Sequence, residues 1–220
     1  MREKIKTAEL FGASPPYIAP LLASSEYPWE ILPKIREYIE ALLCDMPAGF
    51  SLWKSGVLVG ENVKISPLAT VEAPAVLGGG TVVRPYAYIR GGVITGENCT
   101  IGNSSELKNC MLLSRAQAPH YNYVGDSILG SRAHLGAGVI CSNLKSDGKN
   151  VVVHGEQSYA TGLRKLGAII GDGAEVGCGC VLNPGTVIGK GARIYPLTSV
   201  RGVVCEGVIV KAPGNTAEIE

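Results

Sequence analysis

Residues 59–89 read VGENVKISPLATVEAPAVLGGGTVVRPYAYI, and an aliphatic residue returns at every sixth position of this stretch. Continued forward, the same step passes through Val59, Ile65, Val71, Leu77, Val83, Ile89, Thr95, Ile101, Leu107 and Leu113. The pattern returns later as Ile170, Val176, Leu182, Ile188, Ile194 and Val200. A six-residue period fits neither an α-helix nor a plain alternating strand, and it is typical of the hexapeptide repeat of a parallel β-helix.

Each repeat predicts a short strand and a corner, with one bulky and one small residue pointing into a narrow prism. No repeat buries its aliphatic residue alone, but coils stacked about 4.8 Å apart enclose a continuous core. The chain has 29 glycines, which suit tight corners. The sequence therefore predicts an all-β chain of about six to seven coils, with three repeats in each coil.

The repeat divides the chain into three parts. We assign 1–56 to an N-terminal extension, 57–210 to the β-helix and 211–220 to a C-terminal tail. After Pro28, apolar residues recur at helical spacing. We expect this short helix to cap the exposed first coil, and a helix that binds a partner is the alternative.

The repeat is interrupted twice, at 114–123 and at 145–168. Because only about four repeats separate the two interruptions, we expect both excursions to leave the prism near one corner, on adjacent coils. Insertions gathered on one side of a solenoid usually build its binding site.

Composition excludes some classes of partner. The chain has 20 basic and 19 acidic residues, and this balance does not favour nucleic acid or an anionic membrane. The N-terminal residues lead into no apolar run, so we expect neither a signal peptide nor a membrane-spanning helix. The seven cysteines, an odd number, are typical of free thiols in a reducing compartment, and we expect a cytoplasmic protein.

Two further motifs, for a metal site and for a nucleotide-binding loop, are incomplete or absent in the sequence. The pair Cys178-Gly179-Cys180 has no second cysteine pair and no histidine at ligand spacing, so we expect no metal site. No glycine-rich nucleotide-binding loop occurs near the N-terminus. We therefore expect no nucleotidyltransferase domain in this chain.

His120 lies in the first interruption and is one of three histidines. A neutral imidazole can take a proton from an attacking amine or hydroxyl near neutral pH. A surface or packing histidine is the alternative.

Four sequence segments, in order and at compatible separations, identify a family. They are RPYAYIRGG (84–92), IGNSSELKN (101–109), APHYNYVGDSILG (118–130) and LGAGVICSNL (135–144). Together they resemble the acetyltransferase half of the bifunctional enzyme that makes UDP-N-acetylglucosamine, and archaeal sugar-phosphate nucleotidyltransferases with the same C-terminal β-helix. The resemblance implies a left-handed β-helix, acetyl-CoA as co-substrate and a homotrimer with sites between neighbouring subunits.

The resemblance implies specific roles for the matching residues. His120 matches the general base, and Tyr123 matches a tyrosine that contacts the acceptor sugar. Arg84 and Lys108 match the residues that hold the acceptor phosphate, a suitable pairing of guanidinium and ammonium groups. Solvated charges are the alternative for these two basic residues.

Two more acceptor contacts follow from the same resemblance, Asn143 and Lys149, the latter reaching over from a neighbouring subunit. Ala137 matches a position whose backbone faces the thioester, where an N–H can stabilise an oxyanion.

Two positions depart from the family pattern. His134 replaces an acceptor-contacting asparagine, and Cys178 replaces a serine near the base. Because an imidazole is bulkier than a carboxamide, the identity of the amino sugar stays open. Arg164 and Lys165 are expected to meet the phosphates of coenzyme A, and solvated loop charges are the alternative.

The leading functional hypothesis is an acetyl-CoA-dependent acetyltransferase acting on the amine of a hexosamine 1-phosphate or a close relative. A non-catalytic oligomerisation or regulatory module is the second hypothesis. A carbonic-anhydrase branch of the same fold is the third, but the spacing of His120, His134 and His154 does not resemble its zinc ligands.

Overall fold

The structure is a computed structural model, and it describes residues 3–212 and 215–218. The described helices precede the repeat. They are α1 (Thr7–Leu10), α2 (Ala19–Ala23), a 3₁₀ helix (Pro28–Lys34) and α3 (Ile35–Cys44). None of the helices in the described ranges is long and apolar enough to cross a membrane.

The strands follow the repeat along the chain. The first strand and the first four coils are β1 (Phe50–Lys54), β2 (Val57–Gly60), β3 (Lys64–Ile65), β4 (Thr70–Val71), β5 (Ala75–Leu77), β6 (Val82–Val83), β7 (Tyr88–Ile89), β8 (Val93–Thr95), β9 (Thr100–Asn103), β10 (Glu106–Lys108), β11 (Cys110–Leu112), β12 (Gln117–His120) and β13 (Tyr123–Gly125). The later strands are β14 (Ile128–Leu129), β15 (His134–Leu135), β16 (Ile140–Cys141), β17 (Val152–His154), β18 (Ser158–Ala160), β19 (Ala168–Ile170), β20 (Glu175–Val176), β21 (Val181–Leu182), β22 (Thr186–Ile188), β23 (Arg193–Ile194), β24 (Ser199–Val200), β25 (Val203–Val204), β26 (Val208–Ala212) and β27 (Asn215–Glu218).

These strands form a three-sided prism, which confirms the predicted parallel β-helix. Face A contains β1, β2, β5, β8, β11, β14, β19, β22 and β25. Face B contains β3, β6, β9, β12, β15, β20, β23, β26 and β27, and face C contains β4, β7, β10, β13, β16, β21 and β24. Seven coils are complete on all three faces, and β25 and β26 begin an eighth, so the prism is slightly longer than predicted.

An antiparallel strand lies against each end of the prism. Strand β1 pairs with β2 in the first coil, and β27 pairs with β26 in the last. Both block a strand edge that would otherwise be open to another chain. The predicted tail, 211–220, overlaps β26 and β27, and its residues 213–214 and 219–220 lie outside the described residues.

Most of the predicted aliphatic positions point into the prism, where one continuous apolar core runs through the coils. The prediction is wrong at Leu113, which packs on the outside, because Leu112 takes the inward position opposite Thr95. Cys110 pairs with Val93, so this coil has 17 residues rather than 18. The next coil is also 17 residues long, because Met111 pairs with Ile128, and the two short coils together move the later inward positions back by two.

These short coils also show that the first predicted excursion is wrong. Residues 114–123 do not leave the prism, because Gln117–His120 is a regular strand of face B, paired with β9 and β15. His120 therefore lies at the end of a strand and not in an inserted loop. The expectation of two excursions leaving adjacent coils at one corner is wrong for this reason.

One insertion interrupts the prism, between β16 and β19. It spans 142–167, overlaps the second predicted excursion at 145–168, and carries the antiparallel hairpin of β17 and β18. Leu144 and Lys165 form an isolated antiparallel bridge at its base.

The N-terminal segment covers the outer side of face A. The predicted helix after Pro28 is present as the 3₁₀ helix followed by α3, but it packs beside β8 of the third coil instead of over the end of the first. Ile35 and Ile39 are fully buried there. The outward residues of face A are themselves apolar, which explains why the segment packs against the side. They are Leu58, Val76, Ile94, Met111, Ile128, Ile169 and Val187.

Candidate functional site

Three of the predicted site residues stack at one corner, where each face B strand turns into a face C strand. We call this the B–C corner. The Gly138 N–H donates to the His120 carbonyl over 3.0 Å, and the Gly179 N–H donates to the Ala137 carbonyl over 2.8 Å. The Leu197 N–H continues the ladder to the Cys178 carbonyl over 2.9 Å. Consecutive coils thus present His120, Ala137 and Cys178 about 4.8 Å apart, and all three are exposed.

Close packing of the backbone produces this corner. A Cβ at Gly102, one coil before His120, would lie 1.5 Å from the Pro119 carbonyl oxygen. Only glycine fits there. The following corner residues Tyr121 and Leu197 have positive φ angles of 52° and 60°, and their side chains project outward, 62% and 85% exposed.

A buried polar network lies at the next corner, where face C turns back to face A, which we call the C–A corner. The Asp126 carboxylate accepts hydrogen bonds from the Asn143 amide at 2.5 Å and from the Asn109 amide at 2.9 Å. The Asn143 amide also donates to the Tyr123 hydroxyl oxygen at 3.2 Å. Asn143 and Asp126 are only 9% and 6% exposed. Two of the predicted acceptor contacts, Tyr123 and Asn143, therefore touch each other.

The orientation of Tyr123 depends on its neighbour in the strand. A Cβ at Gly125 would lie 2.5 Å from the Tyr123 hydroxyl and 2.8 Å from the Asn143 amide, so a larger residue would displace them. Burial raises the pKa of the Tyr123 phenol, while the Asn143 hydrogen bond acts in the opposite direction. Because Asn143 donates to the oxygen, the phenolic proton is left to donate elsewhere.

The sequence reasoning missed Asn109 and the full role of Asp126. Asp126 shapes a corner with a φ of 46°, and its carboxylate also holds the network together. The signal was spacing: Asn109, Asp126 and Asn143 are each 17 residues apart, one short coil. Polar residues that repeat once per coil stack in a column on the prism.

The two basic residues expected to hold a phosphate lie on face C or at its edge. Arg84 is exposed at the B–C corner of the second coil, two coils before His120. Lys108 ends β10 on face C, beside Gly125 of the next coil, and is half-buried. Arg90 on the same face is occupied by an ion pair with Glu106, with a separation of 2.8 Å.

The remaining predicted residues lie further apart within the chain. His134 begins β15 on face B, between Gln117 and Glu175 of the adjacent coils. The predicted basic residues of the insertion are exposed and start from the C–A corner, away from the B–C corner ladder. They are Lys149, Arg164 and Lys165.

No group of three or more His, Cys, Asp or Glu side chains within the described ranges is arranged to hold a metal ion. Cys178 is exposed, whereas Cys180 turns inward and its thiol donates to the Tyr195 carbonyl over 3.0 Å. His120, His134 and His154 belong to three different strands.

Comparison with known sequences matches the repeat to sugar-phosphate enzymes. The family model of the GMPPB C-terminal domain matches residues 80–161. The bifunctional protein GlmU of Methanococcus aeolicus is 32% identical over 170 residues, which is 76% of this chain and 41% of that protein. The bifunctional sugar-1-phosphate nucleotidylyltransferase/acetyltransferase of Sulfurisphaera tokodaii is 36% identical over 151 residues, 63% of this chain and 38% of that protein. The match therefore spans less than half of either relative.

Solved structures resemble this chain only distantly. The acetyltransferase domain of PglB from Neisseria gonorrhoeae FA1090, solved in complex with acetyl coenzyme A, aligns with 84% of this chain and 64% of its own. The sequence identity is 16% and the TM-score is 0.28, a likeness too low to add to the fold described above.

Proposed function

We propose a reaction for this chain on the premise that it belongs to the hexapeptide-repeat acyltransferase family, together with the GlmU-type proteins whose sequences it matches. The reaction is transfer of an acetyl group from acetyl-CoA to the amine of an amino-sugar phosphate resembling glucosamine 1-phosphate. The observation that carries the proposal is the hydrogen bond from Gly138 to His120, which sets the proposed base one coil from Ala137.

His120 is the proposed general base. Its side chain is exposed at the corner, so a bound amine can reach the imidazole. The imidazole takes a proton from the amine as the amine attacks the thioester carbonyl. The resulting tetrahedral intermediate collapses, the C–S bond breaks, and the leaving thiolate takes the proton from the imidazolium.

Ala137 is the proposed oxyanion donor. Its carbonyl is committed to the Gly179 N–H, which fixes the peptide orientation at this corner. Among the described residues, the Ala137 N–H has no acceptor within hydrogen-bond distance. A fixed N–H near the base can stabilise the negative charge that develops on the thioester oxygen.

The acceptor is proposed to lie across face C. Arg84 and Lys108 hold its phosphate, and Tyr123 and Asn143 contact its sugar ring. The Tyr123 and Asn143 side chains are pre-positioned by the buried network around Asp126, so little ordering accompanies binding. His134 contacts the acceptor from face B.

Acetyl-CoA is proposed to run along the later coils of the B–C corner. Cys178 continues the ladder beyond Ala137. Arg164 and Lys165 lie away from this corner within one subunit, so they are proposed to meet the phosphates of coenzyme A from a neighbouring subunit of the proposed homotrimer.

A homotrimer is proposed to complete the site, with Lys149 reaching the acceptor of a neighbouring subunit. Exposed apolar side chains at the B–C corner support association there, because exposed apolar surface marks contact sites. They lie on the first, second, fourth and seventh coils, and they are Leu68, Tyr86, Tyr121 and Leu197, with 55%, 62%, 62% and 85% of each residue exposed.

Replacing His120 by Ala tests the mechanism. We expect turnover to fall about a hundredfold or more, because a positioned base contributes about that factor, while acetyl-CoA still binds. The measurement is free thiol released from acetyl-CoA in the presence of a panel of amino-sugar phosphates. Lys64→Ala, an exposed change in the first coil, is the control and should keep full activity. Unchanged turnover in His120→Ala would refute the assigned role.

A non-catalytic oligomerisation module is the second candidate, because the exposed apolar side chains of the B–C corner support association whether or not the chain is catalytic. Thermal unfolding with and without acetyl-CoA separates the two functions, since a ligand that binds only the folded state raises the midpoint. A midpoint that does not move with acetyl-CoA, in a protein that still assembles, supports the module.

A further inference from the structure

We infer that the chain has a second anion-binding site, in the cleft between the insertion and the last coils, and that this site takes a phosphate-bearing small molecule. The cleft has a volume of about 440 Å³. That volume is within the range of about 300–1,000 Å³ that small-molecule sites occupy. The inference is independent of the proposed transferase reaction, which rests on His120 at a different corner.

Two glycines next to residues that line the cleft set how closely the insertion approaches the prism. Gly185 and Gly202 lie at the C–A corner of successive coils, with φ angles of +82° and +78°. A Cβ at Gly185 would lie 2.8 Å from a Val151 methyl group, and one at Gly202 would lie 2.6 Å from the His154 carbonyl oxygen. Glycine at both positions lets the β17 segment pack directly against the prism beside the cleft.

Three cationic or hydrogen-bond-donating side chains line this cleft from three different segments. Arg201 comes from the C–A corner of the seventh coil, Lys145 from the start of the insertion and His154 from the end of β17. Arg201 is exposed, and its guanidinium donates to the Asn183 side-chain oxygen at 3.5 Å. Among the described residues no carboxylate oxygen lies within 4.0 Å of it.

The one carboxylate that lines the cleft is already occupied. Asp147 lies 3.2 Å from the Lys145 ammonium and accepts the Lys149 N–H at 3.0 Å. Donation by the Lys149 N–H lowers the pKa of the Asp147 carboxyl, so this group stays ionised and holds Lys145 in place. An ammonium has three donors, and the ion pair leaves others for a ligand.

This set of donors matches a phosphate better than a carboxylate. A guanidinium offers a planar pair of N–H groups, and a phosphate monoester has three oxygens that can accept from Arg, Lys and His at once. A carboxylate has two oxygens and satisfies fewer of these three donors. The Ser142 and Asn183 side chains, which also line the cleft, suit the polar part of the same molecule.

The three histidines give a residue-specific test. Imidazole resonances are recorded by ¹H–¹³C NMR and assigned with His→Gln variants, and sodium pyrophosphate is titrated into the full chain. We expect the His154 resonance to shift in a saturable way. Arg201→Gln should weaken the affinity for pyrophosphate about tenfold or more, because losing hydrogen bonds between charged groups lowers affinity by about that factor. Arg193→Gln, an exposed change on face B, should leave it unaltered.

Two further titrations complete the test. The double variant Arg84→Gln/Lys108→Gln removes the proposed acceptor phosphate contacts and should leave the His154 response intact. Sodium acetate should shift His154 far less than pyrophosphate. The inference is overturned if His154 does not respond, if Arg201→Gln binds like the unchanged chain, if the double variant abolishes the response, or if acetate acts equally. None of these outcomes affects the His120→Ala test.

Discussion

Faces A and C of the prism have similar inward residues, but their outward residues differ in burial. In the seven complete coils the outward residues of face A are fully buried beneath the N-terminal segment and the insertion, and they are Leu58, Val76, Ile94, Met111, Ile128, Ile169 and Val187. The corresponding residues of face C are exposed or half-buried, and they are Thr70, Tyr88, Glu106, Tyr123, Ile140, Val181 and Ser199. The inward residues build the solenoid, and the outward residues decide what each face does.

This difference restricts where a ligand or a second copy can bind. Face A is covered by the chain's own residues, including Tyr17, whose buried hydroxyl donates to the Thr95 carbonyl over 3.0 Å. Faces B and C and the corner between them remain accessible. The proposed base and the proposed acceptor contacts lie on that accessible side.

The largest expected effect comes from breaking the cover of face A. Ile94→Ala removes a fully buried outward side chain beside α3, and we expect a loss of about 2–5 kcal/mol in the free energy of unfolding. Val181→Ala changes an outward residue of face C that is 38% exposed and should cost about 0.5 kcal/mol or less. Denaturant unfolding of both variants measures the difference. Equal losses would show that the two faces are not distinct in the way described.

A smaller effect is expected from loosening one end of the N-terminal segment. The Asp172 carboxylate accepts the N–H groups of Gly12 and Ser131, each at 2.7 Å, and so ties the segment to the sixth coil. We expect Asp172→Ala to cost about 1–2 kcal/mol. Glu175→Ala, an exposed change three residues later, is the matched control.

Hydrogen exchange of the Gly12 amide shows whether the effect is local. Protection of this amide should fall in Asp172→Ala and stay unchanged in Glu175→Ala. Undiminished protection in Asp172→Ala would mean that other contacts hold the segment against face A.

The inward positions of the prism were predictable because they depend on one step that repeats along the chain. The outward apolar residues of face A carry an equally regular signal. Leu58, Val76 and Ile94 are 18 residues apart, and Met111 and Ile128 follow at 17. Outward apolar residues that recur once per coil stay on one face and so indicate which face is covered. The six-residue step visits the three faces in turn and cannot distinguish them.

The candidate site was predictable only in part. His120 and Ala137 were predicted as site residues through family resemblance, and the structure places the two on adjacent coils. The network of Asn109, Asp126 and Asn143 was missed because the 17-residue coils looked like a break in the repeat. Two successive coils of 17 residues keep these three polar side chains in register at the C–A corner.

The smallest expected effect is a difference in chemical labelling between two cysteines at the B–C corner, Cys178 on the outside and Cys180 on the inside. Cys178 is exposed, while Cys180 is buried and burial raises the pKa of its thiol. Because the thiolate is the reactive form, we expect iodoacetamide to alkylate Cys178 in the native protein and to spare Cys180. Burial also raises the pKa of Cys99 and of Cys141 to about 12, so both stay protonated and unreactive. Mass spectrometry of peptides measures the pattern, and all seven cysteines should react in denaturant. Equal rates at Cys178 and Cys180 would contradict the inward orientation of Cys180 and, with it, the register of the sixth coil.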